Sequence, residues 1–200
     1  ELLIFYNEEY RLNLNIDFIP VGEIYPKKDN ENFWIPPSPN IPTISTCFAY
    51  TGQCLLEGTN LSEGRGTTKP FEIFGAPYLK IESENFVKEI NSIQKETFFL
   101  RPLLFIPTFH KHKGETCGGF QLLINDRKNF HSLLFTLHFL KTVQHCYSDK
   151  FAFLKGVYEF RSDKPAIELL AGDDILLSYM NGTIAQKFLK EYLRYNEESW

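Results

Sequence analysis

FQLLINDRKNFHSLLFTLHFL, residues 120–140, is the stretch that decides the fold. Its first five residues are an apolar run of the length of a short buried strand. From Phe130 the rhythm changes. Phe130, Leu133, Leu134, Leu137 and Leu140 recur at steps of three and four, the stripe of an amphipathic helix. A strand followed at once by a helix sets an α+β unit. His131, His138 and His145 repeat every seven residues beside that stripe and read as structural or surface histidines.

The same periods extend outward. Phe86, Ile90 and Ile93 have helical spacing, with Ser83 as a candidate cap. Residues 98–109 are apolar and extended, broken by Pro102 and Pro107. Further on, 163–170 reads as a short helix stopped near Gly172, and 173–179 as another turn or two. Ile184, Phe188, Tyr192 and Tyr195 make a last helix, with Thr183 as its N-cap.

Toward the N-terminus, residues 1–10 read as the tail of a helix. Leu12, Leu14, Ile16 and Phe18 alternate with period two, as in a strand. A polar loop covers 26–32. Residues 34–43 carry Pro36, Pro37, Pro39 and Pro42, which makes a stiff extended segment that is neither helix nor central strand. Residues 52–77 have five glycines and form a long loop without a hydrophobic period. The expected fold class is α/β plus α+β. Residues 1–80 are the end of an α/β unit with loops, 81–200 a small α+β domain, and the boundary lies near 78–82.

Composition narrows the function. The chain has 200 residues, 43% of them hydrophobic, enough for a real core. Acidic residues outnumber basic ones 25 to 21, a net charge of −4, so no basic surplus exists to neutralise nucleic acid. No apolar run approaches a membrane span, and no export signal is visible. The excess of aromatics, 16% with 19 Phe, fits either core packing or stacking on the apolar faces of sugars. Cys47, Cys54, Cys117 and Cys146 include no C-x-x-C pair, which argues against zinc. A Cys54–Cys117 disulfide is one option in an exported protein, and reduced thiols are the other.

The densest polar constellation is 57–72, EGTNLSEGRGTTKPFE. It offers Glu57, Glu63 and Glu72, the Arg65 guanidinium, the Asn60 amide, and the hydroxyls of Thr59, Ser62, Thr67 and Thr68. Glycines between them let the backbone approach a ligand. Sugars need this mixture of donors and acceptors, with Arg for a carboxylate. A solvated loop with internal ion pairs fits the same residues. The phosphate-loop spacing is absent. A second cluster is Phe109, His110, Lys111, His112 and Lys113. Two alternate histidines of an extended segment would point the same way, toward a metal, but no third ligand stands at a persuasive spacing, and a solvated turn before Gly114 competes. Arg101, beside an apolar run, needs an anionic partner, either a structural carboxylate or a ligand anion. No nucleophilic-serine elbow occurs.

Several of these segments resemble one family. The run WIPPSPNIPT (34–43), then CLLEGTNLSEGRGTTKPFE (54–72), Gly75-Ala76-Pro77, Arg101-Pro102, Pro107-Thr108-Phe109-His110-Lys111 and Cys117-Gly118-Gly119 are similar, in this order, to the NamZ-type exo-β-N-acetylmuramidases. The similarity is strongest over 34–77. Ala49-Tyr50-Thr51-Gly52 and Tyr78 depart from the family pattern. The resemblance implies a glycosidase, without cofactor or metal, that removes terminal N-acetylmuramic acid from peptidoglycan-derived glycans. It implies the end of a Rossmann-like domain followed by a smaller α+β domain, an exported location, and a chain that is only part of a longer protein. The family's proposed catalytic glutamate and tyrosine would lie upstream of Glu1. Glu57 and Glu63 are then candidates for a second carboxylate. Asn60, Ser62, Arg65, Thr67, Thr68, Arg101, His110 and Lys111 are candidates for binding the sugar, with Arg65 foremost for the lactyl carboxylate. A non-catalytic glycan-binding module is the alternative. Nothing in the residues sets the oligomeric state.

Overall fold

The computed structural model describes residues 2–19, 35–81, 84–94 and 96–198. The polar stretch 26–32, Trp34 and the proposed cap Ser83 lie outside the described residues. The chain divides into two compact units, Glu1–Ile35 and Pro36–Trp200.

The first unit contains helix α1 (Leu2–Glu9), as expected for 1–10. The chain then turns back, and the Leu14 amide donates to Asn7 Oδ1 at 2.8 Å. Residues 12–19 were expected as a strand, but they pair with no other strand among the described residues, and most of them are exposed. Alternation describes a half-buried ribbon only when a neighbour supplies the ladder.

The second unit is built on a three-stranded antiparallel sheet, β1 (Ile73–Ala76), β2 (Phe98–Phe105) and β3 (Cys117–Ile124), in the order β1-β3-β2. Register places Phe74 opposite Phe120, and Leu100 opposite Leu122. These residues share one face, since directly paired residues project to the same side. That face meets the helix read from 130–140, α4 (Ser132–Cys146). Phe74 meets Phe139 edge-on at 5.0 Å between centroids, and Phe98 meets Phe135 at 4.8 Å. Each such pair adds about 0.5–1.5 kcal/mol beyond the area it buries. On the opposite face, Ile73, Phe105 and Cys117 form a small second cluster with Leu103 beside it. Pro102 is tolerated because β2 lies at the sheet edge.

Helix α2 (Ile44–Gln53) packs on α4, and a 3₁₀ turn, Cys54–Gly58, continues directly from it. The 3₁₀ turn falls in the expected loop 52–77, whereas most of α2 falls in 44–51, a stretch to which the sequence reading gives no element. Helix α3 (Glu84–Asn91), with Phe86 and Ile90 buried, also lies against α4. Helix α5 (Ala166–Ala171) ends at Gly172 in the left-handed conformation, and α6 (Asp174–Met180) is capped by Asp173. Helix α7 (Gln186–Glu198) starts later than expected. Thr183 does not cap it; its hydroxyl donates back to Ser178 O.

The position expected as a boundary, near 78–82, lies between β1 and α3, inside this unit. The unit is mixed helix and sheet, with one strand from before that position and two from after. All four cysteines are free, and Cys117 is the first residue of β3 rather than part of a loop.

Candidate functional site

The 57–72 segment is not a solvated loop. Gly58, Thr59, Leu61, Ser62, Glu63 and Gly64 are buried. Isolated bridges pair Thr59 with Phe153 and Ser62 with Gly75, so the segment lies along the edge of β1. Gly64 (φ +75°) and Gly66 (φ +82°) turn the chain with left-handed backbone. A Cβ on Gly64 would lie 2.0 Å from Ile73 O, and one on Gly66 2.6 Å from the Phe109 nitrogen. These two positions therefore need glycine.

A second loop, 106–116, is strapped onto the first. Thr108 donates twice to Gly66 O, from its backbone nitrogen and its hydroxyl. Lys111 Nζ reaches Leu56 O at 2.8 Å, Leu61 O at 3.0 Å and Glu63 Oε2 at 3.0 Å. His112 Nε2 lies 2.7 Å from Asn60 O. His110 and His112 both have positive φ, +67° and +55°. The segment is thus a turn, the reading that competed with an extended metal-binding geometry. The two imidazoles go to different partners and share no metal position. Among the described residues, no group of three or more His, Cys, Asp and Glu is arranged to hold a metal ion.

Glu63 is the centre of the arrangement. Its side chain is 1% exposed. Oε1 faces Arg65 Nε at 3.1 Å and His110 Nδ1 at 2.9 Å, while Oε2 faces Lys111. Burial pushes its pKa up, but Lys111, a backbone hydrogen bond and His110 outweigh this, and the carboxyl is held below the usual range. Burial also lowers the Lys111 ammonium, with Glu63 opposing. Arg65 spans two carboxylates. Its Nη2 meets Glu57 Oε1 at 2.8 Å, and the guanidinium lies over the Phe71 ring at 5.2 Å. The other Glu57 oxygen accepts from Tyr158 OH at 3.1 Å. Burial and the Glu57 charge raise the Tyr158 phenol, which stays protonated as a donor.

The remaining candidates sort by what their polar atoms do. Asn60 spends its amide inside the protein, donating to Lys150 O and accepting from Tyr78 OH and the Ala152 amide. Ser62 accepts from the Gly64 amide, and Thr67 donates to Gly64 O. Thr68 is exposed. Glu72, buried, accepts from Thr43, Thr46 and Lys69. Arg101 is not part of the cluster by any contact. It is exposed on β2, opposite Gln121, which buried charge-pairing did not anticipate. Phe71, Tyr78 and Tyr158 were missed. Tyr158 lies 101 positions from Glu57, and no local signal ties the two together. The polar rim that faces outward is Glu57, Arg65, Thr68 and His110. A cavity of about 420 Å³ lies elsewhere, lined by Glu89, His138, Lys141, His145, Tyr179 and others.

The family model described as "Exo-beta-N-acetylmuramidase NamZ, C-terminal" matches residues 48–200. The chain is 35% identical over 196 residues to the peptidoglycan beta-N-acetylmuramidase NamZ of Bacillus subtilis (strain 168), covering 96% of this chain and 45% of that protein. It thus spans under half the length of this curated relative. Two crystal structures of DUF1343 family proteins from Bacteroides fragilis are similar in fold. One has a TM-score of 0.53 at 27% identity and covers 58% of this chain and 30% of that one. The other has a TM-score of 0.50 at 21% identity over 82% and 40%. The chain belongs to the NamZ family of exo-β-N-acetylmuramidases and corresponds to its C-terminal half.

Proposed function

We propose that the protein containing this chain is a glycoside hydrolase that removes non-reducing terminal N-acetylmuramic acid from peptidoglycan fragments in cell-wall turnover or recycling. In this reading residues 57–72 and 107–112 form one wall of the substrate site. The observation that carries it is the two-loop cluster itself. The segment by which the chain most resembles its family is held rigid around Glu63 and turns Glu57, Arg65, Thr68 and His110 outward.

The roles divide by chemistry. Glycoside hydrolysis needs a general acid with a raised pKa and a second group as base or nucleophile. Glu63 is held ionised, as a base or nucleophile must be, but its side chain is 1% exposed and both its oxygens face basic groups. It serves instead as the buried anchor for Arg65, His110 and Lys111. Glu57, with 17% of its side chain exposed, is the better candidate for a second carboxylate or for binding a sugar hydroxyl. The principal acid comes from the part of the relatives' length that this chain does not span, a Rossmann-like domain on the family pattern. Arg101 stands apart from this wall in the proposal. A peptidoglycan substrate supports an exported location, periplasmic, secreted or lipoprotein, over a cytoplasmic one.

The full-length protein should release free N-acetylmuramic acid from a muramic acid–glucosamine disaccharide. Tight binding of that disaccharide without release would favour a non-catalytic glycan-binding module. Absence of both binding and release would overturn the proposal.

A further inference from the structure

The cavity of about 420 Å³ draws its lining from α3, α4, α6 and α7, including Glu89, His138, Lys141, His145, Tyr179 and Gln186. Its size is at the lower end of the range for small-molecule sites, about 300–1,000 Å³. Its buried side is satisfied. His138 and Tyr179 are 4% and 1% exposed. Glu89 O can only accept, so His138 Nε2, 3.0 Å away, carries the proton. In the neutral ring Nδ1 then accepts from Tyr179 OH at 2.8 Å. Burial lowers the His138 pKa, which keeps the ring neutral near pH 7. The rim is different. Lys141 is half-buried, its ammonium lies over the Tyr179 ring at 4.2 Å, and among the described residues no carboxylate pairs with it. The Glu89 side chain is 61% exposed. Its carboxylate has the neutral His138 Nε2 at 3.7 Å and, among the described residues, no ammonium or guanidinium partner. Glu89 and Lys141 therefore line one cavity with opposite charges and do not pair with each other. Lys190, another ammonium near His138, is spent on Ile93 O at 3.0 Å. His145, four residues after Lys141 and so on the same face of α4, adds a further hydrogen-bonding group, and Gln186 adds another from α7.

We propose that this cavity is a binding site for a small zwitterion, an amino acid or a short peptide, with the ligand carboxylate on Lys141 and its ammonium on Glu89. An anion alone would meet Lys141 but also face the Glu89 carboxylate, and a cation alone would meet the reverse. A molecule that carries both charges meets each with its complement. No existing ion pair has to be broken to admit it. The Tyr179 ring already holds the Lys141 ammonium by a cation–π contact, so less side-chain freedom is lost on binding. Both ends of the ligand then make charge-assisted hydrogen bonds, the strong kind. The inference rests on none of the roles given to residues 57–72.

The test uses the full-length protein and calorimetry with alanine and alanyl-alanine, each also in an N-acetylated form that lacks the ammonium and an amide form that lacks the carboxylate. Wild type should bind an unblocked probe, and blocking either end should weaken that binding about tenfold or more. Tighter binding of alanine assigns the site to amino acids and tighter binding of the dipeptide to peptides; both support the proposal. Lys141→Met should bring the amide to within about twofold of the unblocked probe while the loss on acetylation remains. Glu89→Gln should do the reverse. A merely structural defect would weaken all probes together. Melting curves identify a variant that fails to fold. In that case a crystal structure of the wild type with the unblocked probe decides, with the carboxylate expected within about 3.2 Å of Lys141 Nζ and the ammonium equally close to the Glu89 carboxylate. A wild type that binds no unblocked probe at millimolar concentration, blocked probes that bind as tightly as unblocked ones, a discrimination unchanged in both variants, or a bound probe that touches neither residue overturns the proposal.

Discussion

Lys111 places its ammonium against two backbone carbonyls and the Glu63 carboxylate, and these contacts join three turns of chain. Removing it leaves Glu63 buried with fewer counter-charges, a loss of roughly 3 kcal/mol or more. Lys111→Met should therefore lower the midpoint of urea unfolding markedly, and a loss under about 1 kcal/mol would contradict the role given to it. The Glu63 carboxyl is held below its ordinary range, so its contribution is complete above the unfolded-state value of about 4.3 and disappears as acidification passes through the lower folded value. Glu63→Gln should flatten the acid limb of the stability curve. Gly66→Ala has a different cause, a left-handed backbone and a Cβ forced against the Phe109 nitrogen. It should cost about 1–3 kcal/mol in the same unfolding measurement. At this scale residue types were legible and partners were not. EGTNLSEGR announced a polar, glycine-turned segment, but its role as a buried hub depends on Lys111, His110 and Tyr158, which join it from 47 to 101 positions away. Arg101 shows the reverse. An apolar neighbourhood in sequence suggested burial, but an edge strand leaves alternate residues in water.

Elements with a strong period were legible, and those held by tertiary contacts were not. Helix α4 and strand β3 follow from the apolar spacing over 120–140. Helix α2 was missed because ISTCFAYTGQ is rich in β-branched residues and glycine and has weak helix propensity. The signal was Thr43 after Pro42. The Thr43 hydroxyl accepts from the Thr46 amide at 3.1 Å and itself donates to Glu72. Thr43→Ala should cost about 1–2 kcal/mol, visible as a fall in melting temperature, and a neutral result would deny the cap its importance. The α3–α4–α6 contact carries a pH dependence. His138 is buried, with Nδ1 at 2.8 Å from Tyr179 OH and Nε2 at 3.0 Å from Glu89 O. Burial lowers its pKa; Glu89 opposes this, and Lys141 and Lys190 add to it. The unfolded chain then takes up this proton first, so stability is full above the unfolded value of about 6.5 and falls as pH drops below it. His138→Gln should remove most of that slope in denaturation midpoints between pH 7 and 5. An identical slope in the variant would place its origin elsewhere.

At the scale of the whole molecule, the chain spans 45% of the length of the Bacillus relative. In the proposed function, the rim of Glu57, Arg65, Thr68 and His110 forms one side of a cleft whose other side comes from the rest of the relatives' length. The most direct test is a crystal structure of the full-length protein with N-acetylmuramic acid bound. The account predicts the sugar against residues 57–68 and 108–112, with its lactyl carboxylate within hydrogen-bond distance, about 3.2 Å, of His110 or Arg65. A sugar bound instead in the cavity beside Glu89, His138 and Lys141, or held entirely by the other half of the protein, would contradict it.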